Sequence, residues 1–201
     1  MKLCVYALAL GRPDHLPRSL RAISVGPITA IVRAVSRRPN ATDAGLRAHD
    51  RFVRLLAVEC PALLPARFGT CFDDGEELKA ALEARQASLR KALRHVRGRV
   101  QMTIRIAAGS SAAYLQSRAR AAAAARSVPE FAPLRDAVRR WVKDERVEKH
   151  GRLASVYHLI TSGSTAAYRR RLERAAADAE ARLIVTGPHP PYAFSNPFEA
   201  S

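Results

Sequence analysis

The chain has 201 residues, of which 48% are apolar and 26% are charged. This length and composition suit one large domain or two small ones with a buried core, and they argue against intrinsic disorder. Lysine and arginine number 34 against 18 acids, which gives a formal charge of +16 at pH 7. That charge indicates an acidic counterpart but does not choose among nucleic acid, an anionic membrane face and an acidic protein assembly.

The three cysteines are Cys4, Cys60 and Cys71, and none forms a Cys-x-x-Cys pair. Because the number is odd and no signal peptide is recognisable, we expect a reduced, cytoplasmic protein in which each cysteine is a small buried hydrophobe. The apolar opening Met1–Leu10 is too short to cross a bilayer and predicts a buried first strand.

The next segment predicts a strand followed by a helix. Val25–Val35 contains a Gly-Pro hinge and is rich in isoleucine and valine, which indicates a second strand. Thr42 is a predicted helix N-cap, and the helix should end at Pro61. The apolar residues that recur at helical spacing between them are Leu46, Val53, Leu56 and Cys60.

A short strand, a helix and a longer strand follow. A proline confines Leu63–Gly69 to the edge of a sheet or to the beginning of a strand, and Asp73–Gly75 marks a turn and a helix start. One long amphipathic helix is expected over Glu76–Gly98, and alternation over Val100–Ile106 predicts a strand with one solvated face. This order of elements predicts a ferredoxin-like α+β domain at residues 1–107.

Residues 108–201 predict a second, smaller α+β domain with a helical arm. Its predicted elements are a helical hairpin arm (Ala112–Arg126 and Leu134–Lys149), a strand (Leu153–Ile160), a helix that begins at Ser164 or Thr165, and a final strand (Leu183–Thr186).

The final strand runs into Gly187-Pro188-His189-Pro190-Pro191-Tyr192. Because three closely spaced prolines fix φ and remove donors, the chain is expected to leave its sheet at Thr186. Gly187 supplies the freedom that the turn needs, and Tyr192 and Phe194 are expected to fold back over a core edge.

A second motif, Arg67-Phe68-Gly69-Thr70, follows the apolar run Leu63–Ala66. The two motifs, in this order and at this separation, resemble those of gas vesicle proteins of the L/F family. The likeness extends over most of the chain and implies the two domains described above. It also implies a non-enzymatic accessory protein required for gas vesicle assembly, which binds the hydrophobic shell protein and/or other accessory gas vesicle proteins.

The resemblance places this protein at the gas vesicle in the cytoplasm. The motif residues are the predicted structural or partner-binding positions: Arg67, Phe68, Gly69, Gly187, Pro188, Pro190, Pro191 and Tyr192. The Arg67 guanidinium can bind a carboxylate bidentately, either that of Asp73 or Asp74 or one on a partner. Replacing Arg67 by alanine is therefore expected to impair folding or partner binding.

The residues that carry enzyme chemistry do not cluster in the sequence. The six histidines lack metal-ligand spacing, and Ser162–Thr165 is better explained by helix capping than by phosphate binding. Acids are few, and none forms an isolated pair. We therefore expect no enzyme, no metal, no cofactor and no small-molecule substrate.

A basic RNA- or DNA-binding ferredoxin-like protein is the alternative. A base-stacking sheet needs interleaved aromatic residues, which Arg99–Arg105 does not contain and Arg67–Phe72 supplies only in part. We therefore expect no specific nucleic-acid binding. Membrane association is also disfavoured, because the fold needs the apolar faces of its helices.

Overall fold

The computed structural model describes residues 1–107, 131–150, 153–179 and 181–198. The chain divides into two compact units: Met1–Arg99 together with Pro190–Ser201, here unit 1, and Val100–His189, here unit 2. The predicted α+β class is confirmed, since each unit combines helices with an antiparallel sheet. The division predicted at residue 107 differs from this one, because the preceding strand pairs within unit 2 and the last residues return to unit 1.

Unit 1 is built on a five-stranded sheet with β1 at its centre. Its strands are β1 (Lys2–Leu10), β2 (Arg21–Val25), β3 (Ile28–Val35), β4 (Leu63–Pro65) and β5 (Cys71–Phe72). β3 pairs with one edge of β1, whereas β4 and β5 share the other edge. The predicted first strand and the short strand that contains Pro65 are thus confirmed. The strand predicted over Val25–Val35 is instead part of a hairpin of β2 and β3.

The first helix, α1 (Asp43–Glu59), has the predicted ends. Thr42 precedes it and its Oγ1 accepts the N–H of Gly45 at 3.1 Å, which satisfies one of the free donors of the first turn. The helix ends at Cys60, directly before Pro61, because proline has no N–H to continue the hydrogen-bond ladder.

The single helix predicted over Glu76–Gly98 is in fact two, α2 (Gly75–Ala84) and α3 (Gln86–Val96). α2 begins as predicted at Asp74, whose carboxylate accepts two N–H groups of the first turn at 3.0 and 2.9 Å. The break lies at Arg85, where φ is −118° and ψ is 10°. The spacing of the buried leucines continues through the break, so the burial pattern alone could not reveal it.

The helices of unit 1 cover its sheet. Val53 and Leu56 of α1 share a buried cluster with alternate strand residues, among them Ala7 and Leu63. Because side chains alternate along a strand, the buried Leu8 lies on the other face, and α2 and α3 also pack on this sheet. Burying a side chain such as that of Leu56 stabilises the fold by about 2 kcal/mol.

For two of the three cysteines, the prediction of reduced thiols that act as separate buried hydrophobes is wrong. Cys4 of β1 and Cys71 of β5 face each other in the antiparallel register and form a disulfide. The sequence could not reveal this pair, because their proximity depends on the pairing of strands 67 residues apart. Cys60 agrees with the prediction: its thiol is free and buried, and burial raises its pKa to about 11.

Unit 2 has a four-stranded sheet in the order β7-β8-β6-β9. Its elements are β6 (Arg99–Ala107), α4 (Ala132–Val138), β7 (Val142–His150), β8 (Leu153–Thr161), α5 (Thr165–Asp178) and β9 (Leu183–His189). Among the described residues these elements follow the order βαββαβ, which is the order of elements in ferredoxin-like domains. The sequence placed it at residues 1–107, whereas in unit 1 three strands precede the first helix.

The prediction that the second helix of the arm extends over Leu134–Lys149 is wrong beyond its first turns. Only Ala132–Val138 is α-helical, and Val142–His150 is β7, which pairs along its length with β8. Tertiary pairing overrides helix propensity here. The first helix of the arm, Ala112–Arg126, lies outside the described residues. The predicted strand after the arm and the helix from Thr165 are confirmed as β8 and α5.

β6 and β9 also depart from the expectations. On the face of β6 predicted to be solvated, Arg105 is exposed, but Gln101 and Thr103 are only 4% and 5% exposed. The amide of Gln101 donates to Thr103 Oγ1 at 3.1 Å. β9 does not end at Thr186 but continues to His189, with a register shift opposite Gln101 and Thr103. It lies at the edge of the sheet, where proline is tolerated because no further strand needs its missing N–H.

Candidate functional site

The structure brings parts of both sequence motifs against α1, in unit 1. Phe68, from the upstream motif, packs edge-on against His49 with ring centroids 5.6 Å apart. Tyr192, from the tail motif, donates a hydrogen bond from its hydroxyl to Asp50 Oδ1 at 2.7 Å. His49 and Asp50 are consecutive residues of α1, so this helix connects two segments that are distant in the sequence.

The turn at Arg67–Thr70 is fixed by backbone contacts. Gly69 has a φ of +80°, a left-handed conformation that glycine adopts without strain. Arg38 Nε donates to the carbonyl of Gly69 at 2.7 Å, and the carbonyl of Thr70 accepts the N–H of Val5 at 2.8 Å. The side chain of Arg67 is exposed on this turn.

The two acids considered as intramolecular partners of Arg67 have other contacts. Asp73 pairs with Lys2, and the Lys2 ammonium lowers the pKa of the Asp73 carboxyl. Asp74 holds the start of α2, as described above. These contacts explain the conformation of both acids by local structure.

His49 is the buried polar centre of the surface under the Arg67–Thr70 turn. Its Nε2 donates to the carbonyl of Ala66 at 3.0 Å, and its ring stacks on Tyr6 with centroids 4.8 Å apart. Burial lowers the pKa of His49, which keeps the imidazole neutral against its aromatic neighbours. His49 occupies the core position that helical spacing assigned to Leu46, which is 44% exposed.

The tail after β9 packs on unit 1, as the sequence predicted for Tyr192 and Phe194. Tyr192 packs against the α1 cluster, and Phe194 is only 5% exposed. Ser195 Oγ donates to the carbonyl of Pro65 at 2.5 Å, and the ring of Phe198 meets that of Phe72 edge-on at 5.1 Å. The contacts of the tail are thus both polar and apolar.

The first half of the tail motif lies elsewhere. Gly187 and Pro188 belong to β9 in unit 2, whereas Pro190, Pro191 and Tyr192 belong to unit 1. Gly187 has a φ of +120°, and a Cβ at this position would lie 2.7 Å from the carbonyl oxygen of Gln101. The need for glycine predicted at this position is therefore explained by close backbone packing.

The outer face of α1 combines apolar and basic side chains. Leu55 and Val58 are 53% and 82% exposed, and both lie one turn apart on this face. Arg51 and Arg54 are exposed beside them, and Arg54 Nε donates to Asp50 Oδ2 at 2.6 Å. We call Arg51, Arg54, Leu55 and Val58 the α1 surface. Helical spacing predicts the buried face of α1. Leu55 and Val58 could have been found as apolar residues that lie outside this spacing.

Unit 2 contains a buried polar network that the sequence did not reveal. His158 is fully buried; its Nε2 donates to Glu145 Oε2 at 2.8 Å, and its Nδ1 lies 2.7 Å from the Tyr168 hydroxyl. Arg135 binds the same carboxylate bidentately at 3.1 and 2.9 Å. The hydrogen bond from His158, followed by that from Arg135, lowers the pKa of Glu145 against the effect of burial.

This network joins α4, β7, β8 and α5, and each polar group has a partner, as a stable buried network requires. Its four members come from separate elements, so no local sequence pattern predicts them. Phe131 packs against the His158 ring with centroids 5.4 Å apart, which closes the network on its apolar side. The arrangement ties the helices of unit 2 to its sheet.

The described residues offer neither a metal-binding cluster nor a membrane-spanning helix. Among the described residues, histidine, cysteine and acidic side chains form no group of three or more that could hold a metal ion. None of the helices in this part of the chain is long and apolar enough to span a bilayer.

Comparisons with known proteins agree with the fold. No curated protein sequence matches the chain significantly. The crystal structure of the gas vesicle protein GvpF from Anabaena sp. PCC7120 superposes with a TM-score of 0.76 at 14% identity, and the match covers 97% of this chain and 96% of that one. The crystal structure of gas vesicle protein GvpF from Microcystis aeruginosa gives a TM-score of 0.77 at 13% identity, over 97% and 99% of the two chains. At such identities the superpositions establish the fold.

The sequence itself carries the family assignment. The model of the family "Gas vesicle synthesis protein GvpL/GvpF" matches residues 5–117 and 108–196, and so includes both motifs and nearly the whole chain. The resemblance inferred from those motifs is thereby confirmed, and this chain belongs to the GvpL/GvpF family of gas vesicle synthesis proteins.

Proposed function

We propose that this chain is an accessory protein of gas vesicle assembly, located at the gas vesicle in the cytoplasm. It acts by binding the hydrophobic shell protein and/or other accessory gas vesicle proteins, and not by chemical turnover. The family assignment supports the gas vesicle context. The observation that carries the binding role is the α1 surface, where Leu55 and Val58 are exposed beside two arginines.

The chemistry of the α1 surface fits such a partner. Exposed apolar side chains gain free energy when a partner covers them, at roughly 25 cal/mol per Å². Arg51 would lie at the rim of this apolar contact and pair with an acidic group of the partner, which favours rapid encounter and correct orientation. The tail is adjacent, because Tyr192 is hydrogen-bonded to the residue that also binds Arg54.

The sequence motifs contribute to the same proposal. Arg67 is exposed on a fixed turn and would offer a guanidinium to a carboxylate of the partner. Phe68, Gly69, Pro190, Pro191 and Tyr192 would hold the turn and the tail in place on either side of α1. Gly187 and Pro188 would shape the end of β9 in unit 2.

Sequence-specific nucleic-acid binding is less favoured. β6, one of the two central strands of the unit 2 sheet, contains no aromatic residue, and its Gln101 and Thr103 are buried. The net charge of +16 by itself accounts for non-specific adsorption at low salt.

A co-purification experiment tests the proposal. The tagged chain is co-expressed with the shell protein, and the amount of shell protein retained is compared for the unchanged chain and for Leu55→Asp/Val58→Asp. We expect about tenfold less retained shell protein in this variant, because an apolar contact is replaced by two buried charges.

The matched control is Leu46→Asp/Ile184→Asp, which changes two other exposed apolar residues by the same charge; they are 44% and 63% exposed. This control should retain the shell protein. Equal retention by both variants, with circular dichroism showing that both are folded, would exclude the α1 surface as the binding site. Retention of nucleic acid alone would favour the alternative function.

A further inference from the structure

We propose that unit 1 has a second docking surface on the outer face of α3, and that this surface binds an acidic α-helix of a partner protein. The residues that form it, here the α3 stripe, are Ala87, Arg90, Lys91 and Arg94. It is separate from the α1 surface, since it is built on a different helix and has no exposed large apolar side chain.

The α3 stripe surrounds a shallow depression of about 320 Å³. The positions i, i+3, i+4 and i+7 of a helix lie on one face, so the stripe extends over about 10 Å and its three cations over about 6 Å of it. Alanine at position 87 leaves room for an incoming side chain. The guanidinium and ammonium groups thus face a concave space of a size that a few acidic side chains can fill.

Among the described residues, no acid pairs with the cations of the α3 stripe. No aspartate or glutamate occurs between Glu83 and Glu130, so α3 contains no acid. In the described part of the chain, Arg90 Nε is buried without a hydrogen-bond partner. Leaving a buried donor without a partner is unfavourable, so a carboxylate held beside this guanidinium would be stabilising.

In other basic helices of the protein, arginines pair with acids on the same helix. In α5, Arg169 lies 4.0 Å from Glu173, one turn away. In α1, Arg47 and Arg54 pair with Asp43 and Asp50. The α3 stripe is therefore distinguished by its uncompensated charge and its concave shape, and not by net charge alone.

A helix with carboxylates four residues apart is the occupant that fits this geometry. The acidic side chains of such a helix would repeat about every 6 Å along its axis, which matches the rise between Arg90 and Arg94 of α3. Arginine binds carboxylates bidentately and is enriched among the residues that dominate interfaces. α2 and α3 contain no Phe, Tyr or Trp, so this face lacks the stacking residues that single-stranded nucleic acid uses.

Fluorescence anisotropy with a labelled probe tests the proposal on the full chain. The probe is an alanine-based helical peptide with glutamates at every fourth position; a scrambled peptide of the same composition and a short DNA duplex are measured in parallel. We expect Lys91→Glu/Arg94→Glu to weaken binding of the helical peptide at least about tenfold. Arg90→Met, which keeps the bulk and removes the charge, should weaken it as well.

The matched control is Arg171→Glu/Arg174→Glu on α5, where both arginines are exposed and have the same i, i+3 spacing. It lowers the net charge by the same amount, so it should weaken binding less than about threefold through the general field alone. Equal losses in the two charge-reversal variants, equal binding of the scrambled peptide, or preferential binding of the duplex would each overturn the proposal. Circular dichroism of each variant confirms that the helices are intact.

Discussion

Tyr192 and Asp50 are 142 positions apart in the sequence, and the hydroxyl of Tyr192 donates to Asp50 Oδ1 at 2.7 Å. Because Tyr192 also packs on the α1 cluster, this pair fixes the tail on unit 1. Tyr192→Phe keeps the ring and removes the hydrogen bond, so we expect unit 1 to lose about 1 kcal/mol of stability in urea denaturation.

Tyr157→Phe is the control for that measurement, since Tyr157 donates to Glu148 at 2.7 Å on an exposed face of unit 2. It should cost less, because water replaces an exposed hydrogen bond more readily. A Tyr192→Phe variant as stable as the unchanged chain would show that apolar packing alone holds the tail.

Gly187→Ala should destabilise unit 2 by about 2 kcal/mol or more, because the new Cβ would lie 2.7 Å from the carbonyl oxygen of Gln101 at a φ of +120°. Gly163→Ala is the control: nothing lies within 4 Å of its Cβ position. Thermal unfolding of the two variants measures the difference. Similar melting temperatures would mean that β9 adjusts to the added methyl group.

The Glu145 network predicts a dependence of stability on pH. The folded-state pKa of Glu145 is lowered, chiefly by the hydrogen bond from His158, so its contribution is fully present above the unfolded-state pKa of about 4.3. The contribution is lost as the pH falls below that value through the folded-state pKa. Urea unfolding at a series of pH values should show this loss, and Glu145→Gln should reduce it.

The control for the pH series is Glu173→Gln, which leaves the network of Arg135, Glu145 and His158 intact and should keep the loss at low pH. Identical pH profiles for the two glutamine variants would contradict the role of Glu145. Each curve is compared with that of the unchanged chain at neutral pH, where the substitution itself costs stability because it weakens a charged pair.

The disulfide between Cys4 and Cys71 predicts the thiol count. Denatured without reductant, the chain should expose one reactive thiol, that of Cys60, and after reduction it should expose three. Cys4→Ser/Cys71→Ser should lower stability under oxidising conditions by about 2–4 kcal/mol, because the cross-link closes a long loop. Three thiols in the unreduced denatured chain would show that the pair is not oxidised.

The features that sequence analysis located well are those with a local cause. Thr42 and Asp74 were identified as helix starts because their side chains accept N–H groups only a few residues away. The features it missed depend on long-range pairing. The sequence predicts a helix where β7 lies, because the pairing of β7 with β8 is not visible in its own residues. It also places β6 in the first domain, although β6 pairs with β9.

The candidate site was predicted in the same uneven way. The motifs around Phe68 and Tyr192 were singled out from their unusual residues, but their common contact with α1 depends on tertiary structure. The sequence does not reveal the exposed Leu55 and Val58, because prediction of a helix relies on apolar residues at helical spacing. These two residues lie outside that spacing.

Unit 2 begins at Val100 and ends at His189, and Gln101 pairs with His189 in its sheet. The chain thus enters and leaves unit 2 at neighbouring points of its sheet. During synthesis, the residues that complete unit 1 leave the ribosome only after all of unit 2 has emerged. The part of α1 that Tyr192 contacts therefore stays uncovered in the nascent chain until the tail has left the ribosome.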